Sequence, residues 1–82
     1  MKINVLFFGS TRELTGISSM DLEITKETVT TDDLIQELIK IYPNINVERD
    51  QLSIAVNKQY CKAVRELKDG DEVALLPPIS GG

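Results

Sequence analysis

The sequence predicts an α+β domain in which one main helix packs on one face of a mixed β-sheet. Three observations predict this class. Both ends of the chain carry strand-like apolar segments, one central segment has helical periodicity, and further short strands follow it. At 82 residues the chain has room for a single domain. We expect residues 1–82 to form it, with residues 77–82 as a projecting tail.

The first predicted strand covers residues 2–8, which are rich in β-branched and aromatic side chains and end at Gly9. Because side chains alternate across a strand, Leu6 and Phe8 lie on the opposite face from Phe7. A face open to water is normally polar, so these two apolar groups require an explanation. The two faces carry Ile3, Val5 and Phe7 on one side and Asn4, Leu6 and Phe8 on the other.

A short helical turn at residues 11–14 and a second strand at residues 19–24 follow. Gly16 suits the left-handed conformation that often ends a helix. The second strand alternates polar with apolar side chains, and its inward residues are Met20, Leu22 and Ile24. We expect it to pair with the first strand as a hairpin.

The main helix begins at Thr30 or Thr31, either of which can cap it. Two aspartates in its first turn favour the positive end of the helix dipole, and Pro43 ends the helix. Its apolar side chains have the spacing of a single helical face: Leu34, Ile35, Leu38, Ile39 and Tyr42.

Three more strands complete the predicted sheet. After a polar loop, residues 52–57 form a strand that turns at residues 58–59 into a short strand at residues 60–63. A turn at residues 68–71, with glycine at its tightest point, leads to the last strand at residues 72–76.

One helix covers one face of a sheet, so the opposite face is expected to be open. Phe8 and Leu76 place apolar groups there, with Ala55 and Ala74 small enough to lie between them. Exposed apolar patches of this kind mark partner surfaces. In the alternative, the register is shifted by one residue and these side chains belong to the core.

The chain ends in Pro77, Pro78, Ile79, Ser80, Gly81 and Gly82. The prolines remove two backbone donors, so the chain must leave the last strand and project outward. Extended, the tail could reach about 20 Å. The terminal glycines could pass through a channel too narrow for side chains, which suits activation of the terminal carboxylate by a partner enzyme. The alternative is an inert, frayed terminus.

Composition argues against several classes of function. The net charge of −4, without a basic cluster, disfavours nucleic acid as a partner. With no histidine and one cysteine, Cys61, the chain can assemble neither a histidine-based catalytic site nor a structural zinc site. We expect no bound metal or cofactor, and any ATP must be bound by another protein because no phosphate-binding loop is present. The first apolar run is too short for a signal peptide or membrane span, so we expect a cytosolic protein without a membrane partner.

Five segments carry a family resemblance: Leu6-Phe7-Phe8-Gly9, Arg12-Glu13-Leu14-Thr15-Gly16, Ala55-Val56-Asn57, Asp69-Gly70-Asp71-Glu72-Val73-Ala74 and Pro77-Pro78-Ile79-Ser80-Gly81-Gly82. In this order, along essentially the whole chain, they resemble the small, sulfur-carrier subunit of molybdopterin synthase. The last two segments are the most specific. The resemblance implies a ubiquitin-like β-grasp fold, which agrees with the order of elements inferred from the residues.

The resemblance also implies a role for the tail. In this family an ATP-using activating enzyme, related to the ubiquitin activators, adenylates the terminal carboxylate. Sulfur from a sulfurtransferase then replaces the AMP and gives a thiocarboxylate. The reactive carbon of this chain would be that of Gly82, first as a glycyl adenylate and then as 1-thioglycine. The chain would be a non-catalytic carrier subunit.

The family's large subunit provides the catalytic pocket, which holds cyclic pyranopterin monophosphate and takes sulfur for the dithiolene of molybdopterin, in molybdenum cofactor biosynthesis. A heterotetramer of two small and two large subunits is implied. A hydrophobic contact beside the tail docks the carrier on both its activating enzyme and its large subunit. The matching positions are Phe8, Tyr60 and Leu76, of which Tyr60 follows from the resemblance alone.

Other functions stay open at this point. A ubiquitin-like protein modifier would join its diglycine to target lysines, and the sulfur carriers of the thiamine pathway and of tRNA thiolation also end in diglycine. A plain interaction domain would have an inert tail. The Pro-Pro-Ile-Ser segment that precedes the diglycine favours the molybdopterin branch by resemblance. We interpret Arg12 and Glu13 as solvated charges and Cys61 as a small packing residue adjoining the patch.

Overall fold

The computed structural model describes residues 1–78 and contains a five-stranded mixed sheet and a separate two-stranded one. The strands are β1 (Lys2–Phe7), β2 (Ser19–Glu23), β3 (Val29–Thr30), β4 (Ser53–Val56), β5 (Gln59–Cys61), β6 (Glu66–Leu67) and β7 (Glu72–Leu76). The helices are α1 (Gly9–Thr15), α2 (Thr31–Ile41) and a 3-10 helix (Pro43–Gln51). The predicted α+β class is confirmed.

The main sheet has the strand order β2-β1-β7-β4-β5. β1 and β7 pair in parallel, which places the first and last strands of the chain side by side. β2 pairs with β1 in antiparallel orientation, so the predicted hairpin is confirmed. β4 runs antiparallel to both β7 and β5. The C-terminal ends of β1 and β7 therefore lie at the same end of the sheet.

The hydrophobic core lies between α2 and the sheet face that carries Phe7. Phe7 is 2% exposed and makes an edge-to-face contact with Tyr42, with ring centroids 6.2 Å apart. The predicted inward face of β1 is confirmed, and the alternative register shifted by one residue is wrong. Core residues of the main sheet and α2 include Ile3, Val5, Phe7, Val56, Val73, Leu75, Leu34, Ile35 and Leu38.

A capping box fixes the start of α2. The Thr30 hydroxyl accepts a hydrogen bond from the Asp33 backbone N–H at 3.1 Å, and the Asp33 carboxylate accepts one from the Thr30 N–H at 3.0 Å. Of the two predicted caps, Thr30 is the one used. The helix ends at Ile41, just before Tyr42 and Pro43, as the position of the proline predicted.

Two elements differ from the sequence prediction. The predicted polar loop after α2 is the 3-10 helix, because Ile45 within it is fully buried and holds the segment against the core. β3 and β6 form a two-stranded sheet that was not predicted. Strands of two residues are too short to show a period of two, and their buried residues, Val29 and Leu67, lie far apart in sequence.

Several element ends also shift by one or two residues. The turn between β4 and β5 is at Asn57 and Lys58, with φ of 50° and 71°, rather than at residues 58–59. Positive φ at both positions is the geometry of a tight two-residue hairpin turn. β5 therefore begins at Gln59. α1 begins at Gly9 rather than at residue 11, and Gly16 caps its C-terminal end as predicted, with φ of 77°.

The capping box makes the stability of the fold depend on pH. The pKa of Asp33 is lowered, chiefly by the hydrogen bond from the Thr30 backbone N–H and then by the Thr30 hydroxyl, with a further contribution from Lys26. A carboxyl group whose pKa is lower in the folded state stabilises the fold above its unfolded-state pKa. That stability is lost as pH falls through the folded-state value.

The free energy of unfolding of the wild-type protein should fall as the pH drops below 3.8, the ordinary pKa of aspartate. We expect this fall to be smaller in Asp33→Asn, because asparagine does not titrate. The measurement is chemical denaturation of both proteins over a series of pH values from neutral to strongly acidic. Identical pH profiles for the two proteins would contradict this assignment of the cap.

Candidate functional site

The sheet face opposite α2 carries a row of apolar side chains across four strands. The strand registers place Tyr60 opposite Ala55, and Ala55 opposite Ala74. Ala74 in turn lies opposite Leu6. Since neighbouring strands are about 4.7–4.9 Å apart, the row is about 14–15 Å long. Its two central members are alanines, so the middle of the row is flat and its ends carry the larger side chains.

Phe8 and Leu76 extend this row toward the tail. Phe8 follows β1 in extended conformation, with φ of −125° and ψ of 154°, so the alternation of β1 continues to it. Leu76 ends β7, the parallel neighbour of β1. Phe8 is 46% exposed and Tyr60 is 74% exposed, whereas Leu76 is partly buried. We call the following residues the outer patch: Leu6, Phe8, Ala55, Tyr60, Ala74 and Leu76.

The structure brings the three predicted docking residues onto one surface. Phe8 and Leu76 lie where the alternation of side chains predicted, and Ala55 and Ala74 lie between the larger side chains of the face. Tyr60 lies at the opposite end of the row from β1. Their role in binding a partner stays a prediction, since the structure contains one chain.

A polar row borders the outer patch on the side away from the tail. Asn4 lies opposite Asp21 on β2 and opposite Glu72 on β7. The Asn4 side-chain amide donates a hydrogen bond to the Asp21 carboxylate at 3.1 Å. The apolar part of this face is therefore confined to the half of the sheet from which the tail leaves.

The root of the tail packs on the start of α1. A Cβ atom built on Gly9 would lie 2.9 Å from Cγ of Pro77, which is closer than van der Waals contact allows. Pro77 is partly buried and Pro78 is exposed, and neither belongs to β7, as predicted. The predicted tail residues Ile79, Ser80, Gly81 and Gly82 lie outside the described residues.

A polar turn at the other end of β7 holds that strand in place. The Asp71 carboxylate accepts hydrogen bonds from the Asn57 side-chain amide at 3.0 Å and from the Lys68 backbone N–H at 2.8 Å. Partial burial is the largest single influence on Asp71 and raises its pKa. The two hydrogen bonds, with nearby Arg65 and Lys68, outweigh it and leave the pKa below its ordinary value. Gly70, with φ of 87°, forms the tight point of this turn as predicted.

Cys61 does not adjoin the outer patch, contrary to the sequence interpretation. It pairs with Ile54, packs against the core cluster and is partly buried, whereas its neighbour Tyr60 faces the opposite side. Among residues 1–78, no group of three or more His, Cys, Asp or Glu side chains is placed to hold a metal ion. No helix in that same part of the chain is long and apolar enough to cross a bilayer.

Gly9 is a residue that sequence reasoning did not select. From the sequence it is the end of the first strand and part of a segment that carries the family resemblance, with no role assigned to it, although it directly follows the predicted docking residue Phe8 and is the first residue of α1. Its contact with Pro77 depends on the parallel pairing of β1 with β7, which no local pattern reveals. The available signal was a glycine immediately after an apolar strand.

Comparison with models of known protein families assigns the chain to a family. A model of the ThiS family matches residues 5–82. The chain belongs to the ThiS family. The match includes the outer patch and the tail root.

Curated relatives of this ThiS family chain extend over its full length. The molybdopterin synthase sulfur carrier subunit of Aedes aegypti is 38% identical over 88 residues, covering 100% of this chain and 90% of that protein. The sulfur carrier subunit of Chlamydomonas reinhardtii is 36% identical over 84 residues and covers 100% of both chains.

Solved structures share the fold of this ThiS family chain. A putative molybdopterin converting factor subunit 1 from Pyrococcus furiosus superposes with a TM-score of 0.85 at 33% identity, covering 96% of this chain and 99% of that one. A complex of subunits 1 and 2 of molybdopterin-converting factor from Helicobacter pylori contains a chain with a TM-score of 0.71 at 25% identity, with 100% of both chains covered. The ubiquitin-like β-grasp fold expected from the resemblance is confirmed.

Adjacent phenylalanines on opposite faces of β1 offer a test of the site's geometry. We expect Phe7→Ala to lower the free energy of unfolding by about 3–5 kcal/mol, because it opens a cavity in the core. We expect Phe8→Ala to change it by about 0.5 kcal/mol or less, because the Phe8 side chain lies at the surface. Chemical denaturation measures both. A large loss of stability for Phe8→Ala would contradict its place on the outer patch.

Proposed function

We propose that this chain is the sulfur carrier subunit of a molybdopterin synthase and that Gly82 carries the sulfur. The observation that carries the proposal is the full-length similarity to proteins named as sulfur carrier subunits of that enzyme. The position of the outer patch beside the tail root supports it, because a carrier needs a surface that binds its partners next to its reactive end.

The proposed chemistry takes place at the terminal carboxylate. A carboxylate is a poor electrophile until one of its oxygens becomes part of a good leaving group. An ATP-using activating enzyme would transfer AMP to the Gly82 carboxylate with release of pyrophosphate. A persulfide on a sulfurtransferase would then attack the acyl carbon and expel AMP, and a second thiol would cleave the resulting acyl disulfide, forming a new disulfide and releasing the thiocarboxylate. The resulting thiocarboxylate is ionised at neutral pH and is a soft nucleophile suited to sulfur donation. Since activation consumes ATP, we propose the cytosol as the compartment.

The proposed recipient is the large subunit of molybdopterin synthase, whose pocket would hold cyclic pyranopterin monophosphate. The Helicobacter pylori structure, described as a complex of subunits 1 and 2 of molybdopterin-converting factor, supports a partner of this kind. We further propose an assembly of two small and two large subunits, in which two carriers supply the two sulfurs of the dithiolene.

The outer patch would bind both the activating enzyme and the large subunit. It is a compact apolar area next to the tail root, with two well-exposed aromatic side chains, Phe8 and Tyr60. Aromatic residues of this kind often contribute most of the binding energy of an interface. Because both partners would use one surface, the carrier must leave the first before it binds the second.

We expect the intact mass of the wild-type chain to rise by the difference between sulfur and oxygen after incubation with its activating enzyme, ATP and a sulfur donor. Deletion of Gly82 should abolish this change while leaving the fold intact, because the deleted residue lies beyond the last strand. Unchanged mass of wild type, under conditions where a known carrier reacts, would contradict the proposal. Transfer of the chain to lysines of other proteins, without sulfur uptake, would indicate a protein modifier instead.

We expect Phe8→Asp to weaken binding to the large subunit by at least about 30-fold, since it places a charge in the apolar interface. The control is Val47→Asp, which adds the same charge at an 85% exposed position in the 3-10 helix and should bind as wild type does. Isothermal titration calorimetry with the purified large subunit measures both. Equal affinities for the two variants would show that the outer patch is not the docking surface.

A further inference from the structure

Gly9 is distinguished from the other glycines of positive φ by its surroundings. Gly9, Gly16 and Gly70 all have φ between 54° and 87°, a region that disfavours every residue with a Cβ. A Cβ at Gly16 or Gly70 would meet no atom within 4 Å, whereas one at Gly9 would lie 2.9 Å from Cγ and 3.7 Å from Cδ of Pro77. Backbone conformation therefore explains a glycine at all three positions, but only Gly9 also has a close neighbour.

Both partners in this contact are held by the fold. On one side, the backbone N–H of Phe8 donates to the Thr11 hydroxyl at 3.0 Å, and that hydroxyl donates to the Phe8 carbonyl at 2.6 Å. Thr11 is fully buried, so the turn that contains Gly9 is fixed. On the other side, Pro77 directly follows Leu76, which is paired in register with Ser53 of β4. The proline ring is rigid and cannot turn aside as a flexible side chain would.

We propose that Gly9 is a positioning residue for sulfur transfer, forming a seat for the Pro77 ring that sets the direction in which the reactive tail leaves the sheet. This inference rests on the proposed function. The same dipeptide, Phe8-Gly9, supplies a docking side chain and the seat. The direction in which the chain leaves the sheet at Pro77 is thereby fixed relative to the outer patch, and a partner that binds the patch would receive the tail from that direction.

The consequence of a displaced root grows along the tail. If fully extended, the chain from Pro77 to the terminal carbon would span about 20 Å, so a small rotation at the root would produce a larger movement at its end. A misplacement of about 1 Å at a reacting group can reduce a rate by about 100-fold. Docking through the outer patch does not require this contact. Loss of the seat should therefore slow sulfur transfer within the complex and leave the affinity of the complex nearly unchanged.

The test compares Gly9→Ala with the matched control Gly16→Ala, which places the same side chain at a positive φ in open space. Each protein is first loaded with sulfur, and the loaded fraction is determined by intact mass. Single-turnover sulfur transfer is then measured with saturating large subunit, and the dissociation constant is measured separately. We expect Gly9→Ala to lower the transfer rate about tenfold or more while its affinity stays within about threefold of wild type. Gly16→Ala should transfer sulfur as wild type does.

Substitution of Pro77 distinguishes the effect of the contact with Pro77 from the effect of backbone strain at position 9. Pro77→Ala removes the atoms that a Cβ at position 9 would meet, so the double variant Gly9→Ala/Pro77→Ala should react at the rate of Pro77→Ala alone. Pro77→Ala alone keeps Gly9 but removes the ring from the seat, and we expect its transfer rate to fall about threefold or more. This variant tests the seat even if Gly9→Ala does not fold.

Three results would overturn the seat. In the first, Gly9→Ala transfers sulfur as fast as Gly16→Ala, and in the second, Pro77→Ala transfers sulfur as fast as wild type. In the third, the double variant is slower than Pro77→Ala by the same factor by which Gly9→Ala is slower than wild type. Failure of the proposed function gives a different result, because wild type itself would then take up no sulfur. Normal sulfur uptake by wild type together with any of the three results would overturn the seat alone.

Discussion

The parallel pairing of β1 with β7 is the interaction on which the rest of the site depends. It sets the first strand of the chain beside the last, with Leu6 opposite Ala74 and Phe7 opposite Leu75. Because the strands run in the same direction, the residues that follow them lie at the same end of the sheet. Phe8 and Gly9 therefore lie next to Leu76 and the tail root, although almost seventy positions separate them in sequence, about the whole length of a domain this small.

Helix α2 determines which face of the sheet is open to a partner. α2 buries one face of the sheet in the core and leaves the other without cover, so the apolar side chains of that face form the outer patch. The polar row at Asn4, Asp21 and Glu72 limits the patch to the half nearest the tail. The outer patch and the tail root therefore lie at the same end of the sheet, and Pro77 packs on Gly9 there.

Most of the architecture follows from local patterns in the sequence. Alternation placed Phe7 in the core and Phe8 outside it, and helical spacing with Thr30 and Pro43 bounded α2. What local patterns could not give were contacts between distant segments. β3 and β6 pair only because the fold brings them together, and the 3-10 helix depends on burial of Ile45. The seat at Gly9 was missed for the same reason, since Pro77 reaches it only through the sheet.

The central claim is that the outer patch docks the carrier while the tail delivers Gly82 to a partner's pocket. A structure of the wild-type chain bound to a molybdopterin synthase large subunit tests it most directly. We expect the outer patch at the interface, Pro77 still seated on Gly9, and the Gly82 carboxylate inside the large subunit's pocket. An interface formed by α2 or the 3-10 helix, with the outer patch facing solvent and Gly82 outside the pocket, would contradict the account.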